Sequence, residues 1–203
     1  MKPYLSALLV LALAGSASAQ DLTLPAPHKT GGMPLMEAFA KRSSARAYDA
    51  RELSDQQLGD LLWAAWGVNR ADGKRTAPSA NNRQENEVYV LLRKGAYAYD
   101  AAKHALRLVA AEDLRPLVKG VEAPVILLYV ADLAKRGPSG DARKNVAAVD
   151  TGFIGQNVYL YCASEGLATV YRGGGDRTAL ATALKLAADQ TIIALQPVGF
   201  PRR

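Results

Sequence analysis

The sequence contains a single cysteine and two histidines, and this scarcity excludes several kinds of site. One cysteine cannot form a disulfide within the chain, so no disulfide framework supports the fold. Cys162 lies among apolar residues in a helical pattern, which favours a buried structural thiol over a nucleophile. His28 and His104 belong to no cluster with zinc-ligand spacing. No nucleophile-elbow sequence accompanies them, so we expect neither a metal site nor a Ser-His-Asp hydrolase.

Other catalytic and phosphate-binding signatures are also missing. The glycine run at 173–175 lacks the lysine and the spacing of a Walker loop, and it does not open a Rossmann unit. Paired carboxylates, such as Glu112 with Asp113 or Glu85 with Glu87, are interpreted as solvated surface. We therefore predict no catalytic side chain, and an enzyme built on this sequence would take its chemistry from a cofactor.

The first twenty residues have the composition of an export signal. Lys2 supplies a positive start, an apolar stretch runs from Leu5 to Gly15, and "ASA" at 17–19 forms a small-residue cleavage pattern. The apolar stretch is about half of the roughly 20 residues that span a bilayer, so no membrane anchor is expected. We expect residues 1–19 to be cleaved near Ala19 and Gln20, which gives a periplasmic or secreted protein.

The composition is typical of one soluble globular domain, since 49% of the 203 residues are hydrophobic and 22% are charged. The net charge of +6 favours an anionic ligand or surface. However, the basic residues form no dense tract and no aromatic-rich nucleic-acid motif is present, so nucleic acid is not an expected partner.

Helical and strand-like patterns alternate along the chain without an internal repeat. Residues 20–32 form an extended, proline-rich lead-in, and 33–203 form a single domain. Ser54 and Gln57 form a capping box at the start of the clearest helix. The patterns predict helices at 34–41, 54–66, 101–111, 142–165 and 176–188, and strands at 87–93, 96–99, 123–132, 167–171 and 191–200. This alternation predicts an α+β fold in which helices cover a sheet.

Three stretches carry more hydrogen-bonding groups than solubility requires. The first is "KRSSARAYD" at 41–49, where Arg42 and Arg46 flank two serines in a pattern that suits a phosphate. The second is "TAPSANNRQENEV" at 76–88, a polar loop that runs into a valine-rich strand. The third is "PVGFPRR" at 197–203, where two arginines follow a buried strand. Each stretch is a weak signal when it is taken alone.

In order and spacing, these stretches resemble the FMN-dependent nitroreductases. The resemblance runs from about Met33 to Arg203, nearly the whole mature chain. It is carried by "KRSSARAYD", "PSANNRQ", "DTGFIGQNVYLYCASEGLATVYRGG" and "QPVGFP". It implies the nitroreductase fold, with a central, mixed, mainly antiparallel sheet covered by helices. It also implies a homodimer with the flavin at the interface of entwined subunits.

The resemblance implies contacts to the phosphate end of FMN. Arg42, Ser43 and Ser44 would contact the phosphate and the ribityl chain, and Arg202 or Arg203 would complete the phosphate site. The chain stops at Arg203, whereas family members commonly continue with further basic residues.

The resemblance also implies contacts to the isoalloxazine ring. Arg46 would reach its N1/O2 side, and Asn82 would meet the pyrimidine edge, whose donors and acceptors match an amide. The backbone near Gly173 and Gly174 would approach N5. The remaining residues expected to line or support the cofactor site are Pro78, Ser79, Ala80, Gln84 and Arg172, whereas Asn81 and Arg83 are expected at the surface.

The activity implied is two-electron transfer by a ping-pong mechanism, from a reduced donor such as NAD(P)H to a nitroaromatic, quinone or similar acceptor. One departure is "EN" at 85–86, where many members have proline and an aromatic residue. The export signal leaves an alternative open, a periplasmic flavin-binding or electron-relay protein without NAD(P)H turnover. A third alternative is a domain that has lost flavin binding.

Overall fold

An antiparallel sheet of seven strands organises the protein, in the order β1-β4-β3-β2-β5-β7-β6. The computed structural model describes residues 20–136 and 142–202. Each neighbouring pair of strands is antiparallel over these residues, so the sheet is not mixed. The strands are β1 (Leu22–Thr23), β2 (Asn86–Leu92), β3 (Gly95–Asp100), β4 (Ala105–Ala110), β5 (Val125–Asp132), β6 (Ala168–Thr169) and β7 (Gln190–Gly199). The predicted α+β fold is confirmed.

The helices are α1 (Leu35–Lys41), α2 (Asp55–Trp66), α3 (Ala142–Glu165) and α4 (Arg177–Ala183). The capping box predicted for α2 is confirmed, since Ser54 Oγ accepts the Gln57 N–H at 3.2 Å and Gln57 Oε1 accepts the Ser54 N–H at 3.0 Å. The helix α3 ends before Gly166, whose φ of +66° is left-handed and which therefore serves as the stop.

The two faces of the central strands build two apolar clusters. Successive side chains of a strand point to opposite faces, so Val88 and Val90 pack with α2 and α3, while Tyr89 and Leu91 pack with the cluster that contains α4. Cys162 lies in the first cluster, is 1% exposed, and has a thiol pKa raised by burial. The interpretation of Cys162 as a structural thiol is consistent with this environment.

The helix predicted at 101–111 is wrong, because these residues form a turn followed by β4. Asp100 Oδ1 accepts the backbone N–H groups of Ala102 and Lys103, each at 3.0 Å, and closes the turn. The strand then pairs with β3 on one side and with β1 on the other. Hydrogen bonds to two neighbouring strands therefore override a local pattern that is compatible with a helix.

Several predicted boundaries also differ. The strand predicted at 167–171 is shortened to β6 at Ala168–Thr169. The lead-in at 20–32 contributes β1 to the sheet edge and buries Leu24. The helix α4 ends at Ala183 and Lys185 has a left-handed φ of +53°, which stops the helix earlier than predicted. The signal at 1–19 lies outside the described residues. No helix among the described residues is long and apolar enough to cross a membrane.

His104 gives the fold a pH dependence. Its imidazole is half-buried, and its Nδ1 lies 2.9 Å from the Tyr99 hydroxyl. Burial lowers the pKa of His104 below its usual value of 6.5, although the Pro25 carbonyl and Asp60 oppose the shift. The unfolded chain therefore binds a proton more readily than the folded chain, and stability should fall as the pH drops below about 6.5.

We expect the melting temperature to fall more steeply between about pH 7.5 and 5.5 in the native protein than in the His104→Asn variant. Asparagine removes the titration and tolerates the left-handed φ of +49° at this position. Thermal denaturation across this pH range measures both slopes. Equal slopes in the two proteins would show that the titration of His104 does not cause the pH dependence of stability.

Candidate functional site

Three of the arginines named by the sequence surround Tyr48, which is 3% exposed. Arg202 Nε donates to the Tyr48 carbonyl oxygen at 3.0 Å. Burial raises the pKa of the Tyr48 hydroxyl to about 12, and the positive charges of Arg172 and Arg46 act against that shift. Arg46, Arg172 and Arg202, which are far apart in the sequence, are therefore grouped by the fold.

Tyr159 on α3 extends this group to the first motif. Its hydroxyl accepts the Tyr171 backbone N–H at 2.8 Å and shares a hydrogen bond of 2.9 Å with Ser44 Oγ. The Arg42 guanidinium lies over the Tyr159 ring, 5.2 Å from its centroid. Tyr159 thus connects the first motif to the segment between β6 and the glycine run. The residues Arg42, Ser44, Arg46, Arg172 and Arg202 are called the arginine group below.

Backbone pairing explains why these segments meet. Ala45 donates its N–H to Thr169 on β6 at 2.9 Å, and Arg202 donates its N–H to the Ala47 carbonyl at 3.2 Å. The first motif therefore lies beside β6 and the residues that follow β7. A surface cavity of about 420 Å³ lies beside Arg46 and Arg202. Ser43 is exposed, and Arg203 lies outside the described residues.

The glycine run lies beside Arg172, whose Nε donates to the Gly173 carbonyl at 3.2 Å. Gly173 and Gly174 are exposed, and Gly174 has a φ of +105°, a conformation that other residues rarely adopt. Arg172 precedes the run and is held on β7 by two backbone hydrogen bonds of 2.9 Å to Leu195. The run therefore lies next to the arginine group at a fixed position on the sheet.

The second motif forms a loop that is held by its own polar groups. Ser79 Oγ accepts the Gln84 N–H at 3.0 Å, and Gln84 Nε2 donates to Asn82 Oδ1 at 3.0 Å. Residues 78–80 line an open, apolar cavity of about 500 Å³ together with Val149 and Phe153 of α3. This loop, residues 78–84, is called the amide loop below.

The amide loop has an unusual backbone. Asn81, Asn82 and Gln84 have φ values of +55°, +52° and +47°. The left-handed region costs roughly 1–2 kcal/mol per non-glycine residue, and asparagine tolerates it best. Asn81 and Arg83 are exposed, as predicted, and Asn82 is also exposed. Hydrogen bonds within the loop and to neighbouring segments must therefore offset this cost.

The interpretation of Glu85 as solvated surface is wrong, since Glu85 is 0% exposed and Asn86 is 1% exposed. Asn86 Oδ1 accepts a hydrogen bond from Thr151 Oγ1 at 2.9 Å, and Asn86 Nδ2 donates to the Ala147 carbonyl at 3.3 Å. These residues lead into β2 beneath α3. The difference from the family pattern at residues 85–86 therefore affects how the start of β2 packs beneath α3.

The arginine group and the amide loop touch α3 at different points. Asp150 contacts the amide loop and Tyr159 contacts the arginine group. At 1.5 Å per residue, these positions are about 14 Å apart along the helix axis. Both α1 and α3 carry large apolar side chains that are exposed to solvent. These are Leu35, Met36, Phe39, Val149 and Phe153.

Sequence reasoning missed Tyr159, Asp150 and Thr151, although the segment that contains them was noted as a motif. A tyrosine in an apolar helix is an ordinary core residue, so only its partners reveal a role. Across the described residues, no group of three or more His, Cys, Asp or Glu side chains could hold a metal ion.

Comparisons with known proteins agree on one family. The model of the nitroreductase family matches residues 39–200. A crystal structure from Ralstonia eutropha JMP134, provisionally named a nitroreductase, has a TM-score of 0.87 and 39% identity over 92% of each chain. A curated protein of Methanocaldococcus jannaschii, also provisionally named a nitroreductase, is 29% identical over 181 residues, which are 81% of this chain and 90% of that protein.

A more distant structure shares the fold alone. It comes from Staphylococcus epidermidis ATCC 12228 and is provisionally named an NAD(P)H:FMN oxidoreductase. It has a TM-score of 0.64 at 13% identity, over 88% of this chain and 92% of that chain.

Proposed function

Because this chain belongs to the nitroreductase family, we propose that it is an FMN-dependent oxidoreductase that transfers two electrons from a reduced donor to an acceptor. The observation that carries the proposal is the arginine group beside the exposed backbone of Gly173 and Gly174. The donor would be NAD(P)H or a similar reductant, and the acceptor a nitroaromatic, a quinone or a related compound. The two would react in turn, by a ping-pong mechanism.

The donor set fits the phosphate of FMN. Among the described residues, Arg42, Arg46 and Arg172 take part in no ion pair, and Arg202 has only an exposed one with Glu122 at 3.4 Å. Guanidinium groups without carboxylate partners favour an anion, and they bind phosphate oxygens through paired N–H donors. The hydroxyls of Ser43 and Ser44 would add neutral donors on the same side.

The glycine run and the amide loop fit the ring of FMN. Gly173 and Gly174 lack a Cβ, so a flat ring can approach their backbone. The Asn82 side chain offers one acceptor and two donors, and Pro78, Ser79 and Ala80 line an open apolar cavity on which the ring could rest. When bound, FMN supplies hydride transfer through its N5 atom, which no side chain of this protein supplies.

We further propose a homodimer. The amide loop and the arginine group are about 14 Å apart along α3, so a second subunit would bring one subunit's loop to the other subunit's arginines. Exposed apolar side chains on α1 and α3 offer a surface for that contact. Light scattering should give a molar mass about twice that of the mature chain. A monomeric mass in the presence of FMN would contradict this proposal.

A second candidate function is a flavin-binding or electron-relay protein of the periplasm. The observation that favours it is the export signal at residues 1–19, because NAD(P)H is not expected outside the cytoplasm. N-terminal sequencing of the exported protein should begin at about Gln20. Cytoplasmic retention with an intact Met1 would remove the reason for this candidate.

The absorbance spectrum of the purified protein tests both functions. A yellow protein, or a colourless one that can be loaded with FMN, is expected. Stopped-flow mixing then separates the candidates, since rapid bleaching by NAD(P)H and reoxidation by a nitro compound indicate the enzyme. A flavin that no small donor reduces indicates the relay, and a protein that cannot bind FMN contradicts both functions.

A further inference from the structure

Two consecutive residues of α3 hold the two ends of one segment, residues 80–86. The Asp150 carboxylate accepts the Ala80 backbone N–H at 2.9 Å. Thr151 Oγ1 shares its one proton between Asn86 Oδ1 at 2.9 Å and the Ala147 carbonyl of its own helix at 2.6 Å. Asp150 is 3% exposed and Thr151 is 0% exposed. Because α3 packs firmly on the sheet, the two bonds fix the segment relative to a rigid element.

Three residues between these two hydrogen bonds have backbone conformations that are unfavourable for residues other than glycine. Asn81, Asn82 and Gln84 all have left-handed φ values. Residues other than glycine keep such values only where their surroundings impose them. Asn81 and Asn82 are exposed, and Asn82 Oδ1 accepts from Gln84 Nε2 within the same loop, so the restraint relative to the rest of the fold comes from the two ends of the segment.

Among the described residues, the other hydrogen bonds of the amide loop do not attach it to α3. Gln84 Oε1 accepts from Arg75 Nε at 2.8 Å, and Gln84 Nε2 donates to the Gly73 carbonyl at 3.2 Å. These bonds tie the end of the loop to the preceding loop, and the Ser79 hydroxyl ties the loop to itself. The bond to Asp150 is therefore the one that fixes Ala80, at the front of the loop, to the helix.

We propose that Asp150 is a positioning residue that holds Ser79, Ala80 and Asn82 in the conformation required to contact the cofactor. Its carboxylate accepts the Ala80 N–H and thereby prevents the left-handed residues after it from relaxing. The consequence for cofactor binding rests on the proposed function, whereas the effect on the loop does not.

Hydrogen–deuterium exchange of the cofactor-free protein tests the loop directly. In the Asp150→Ala variant, amide exchange over residues 79–84 should accelerate by at least about tenfold, because loss of the acceptor permits local opening. Exchange in β5 and β7, the centre of the sheet, should not change. Unaltered exchange over residues 79–84 would overturn the proposal.

Two further variants make the result specific. Asp150→Asn keeps an oxygen that can accept the Ala80 N–H, so it should restore most of the slow exchange over residues 79–84. Asp21→Ala also removes a carboxylate that accepts a backbone N–H, that of Leu108 on β4 at 2.7 Å, so it should leave the amide loop unchanged. If all three variants accelerate exchange across the whole sheet, Asp150 acts on global stability and the proposal is wrong.

FMN titration separates this proposal from the proposed function. If the native protein binds FMN, Asp150→Ala should weaken binding by about tenfold and Asp150→Asn should recover most of it. A loosened loop with unchanged FMN affinity would overturn the positioning role. If the native protein binds no FMN but the loop still loosens, the proposed function fails, while the effect of Asp150 on the loop stands.

Discussion

Replacing Gly155 by alanine is expected to lower the free energy of unfolding by about 3 kcal/mol, because the added methyl group has no space. A Cβ at this position would lie 2.5 Å and 2.9 Å from two atoms of the Tyr171 ring. That ring cannot move away easily, since it stacks on the Tyr129 ring with centroids 5.8 Å apart. Tyr129 is itself buried and donates to Gln196 Oε1 at 2.6 Å.

Gly152 provides a matched control on the same helix. No heavy atom lies within 4 Å of a Cβ built there, and the residue is exposed. Gly152→Ala should therefore stabilise the protein by about 0.5–1 kcal/mol, since alanine favours a helix more than glycine does. Chemical denaturation of both variants measures the difference. Stability changes of the same sign in the two variants would show that the clash is relieved cheaply.

The Gly155→Ala substitution should also alter the position of residues in the arginine group. Displacement of Tyr171 moves its backbone N–H, which donates to the Tyr159 hydroxyl beside Ser44. Weaker FMN binding is therefore expected in Gly155→Ala, measured at a temperature where the variant remains folded. In Gly152→Ala, FMN binding should be unchanged.

Replacing Arg42 by alanine is expected to weaken FMN binding by about 2–3 kcal/mol, which is roughly a 30- to 150-fold increase in Kd. Arg42 is half-buried, and its guanidinium rests over the Tyr159 ring at 5.2 Å from the centroid. This contact orients the guanidinium, so a phosphate bound here would meet a donor whose direction is already fixed. Fluorescence titration of the cofactor-free protein with FMN measures the change.

Arg107→Ala is the charge-matched control for this experiment. Arg107 is exposed on β4, so its loss lowers the net charge equally without altering the arginine group. The Kd for FMN should stay within about twofold of the native value, since a distant exposed charge is screened by salt. Equal weakening in the two variants would indicate a general effect of charge and would contradict a phosphate contact at Arg42.

Local patterns predicted the elements whose signals are complete within one segment. The capping box and the following glycine bounded α2 closely, and the continuous apolar run at 123–132 predicted β5, which lies in the middle of the sheet. The left-handed Gly166 similarly marked the end of α3. In each case the residues that define the element are neighbours in sequence, so periodicity and capping were sufficient.

Residues 101–111 and Glu85 show where local patterns fail. The stretch at 101–111 became β4 because β1 and β3 offered backbone partners on both sides. Glu85 looked solvent-exposed from its polar neighbours, yet it is buried where β2 begins beneath α3. Strand pairing and burial depend on segments that are distant in sequence, and periodicity within one window carries no information about them.

By itself, the sequence determined the order of the motifs, and hence the family, together with the identity of most residues proposed to hold FMN. Only the tertiary structure decided which of these residues lie together, dividing them between the arginine group and the amide loop. It also added Tyr159 and Asp150, which bond to residues 115 and 70 positions earlier in the chain. The physical reason is that a hydrogen bond depends on position in space, and a helix side chain acquires such a partner only when distant segments pack against it.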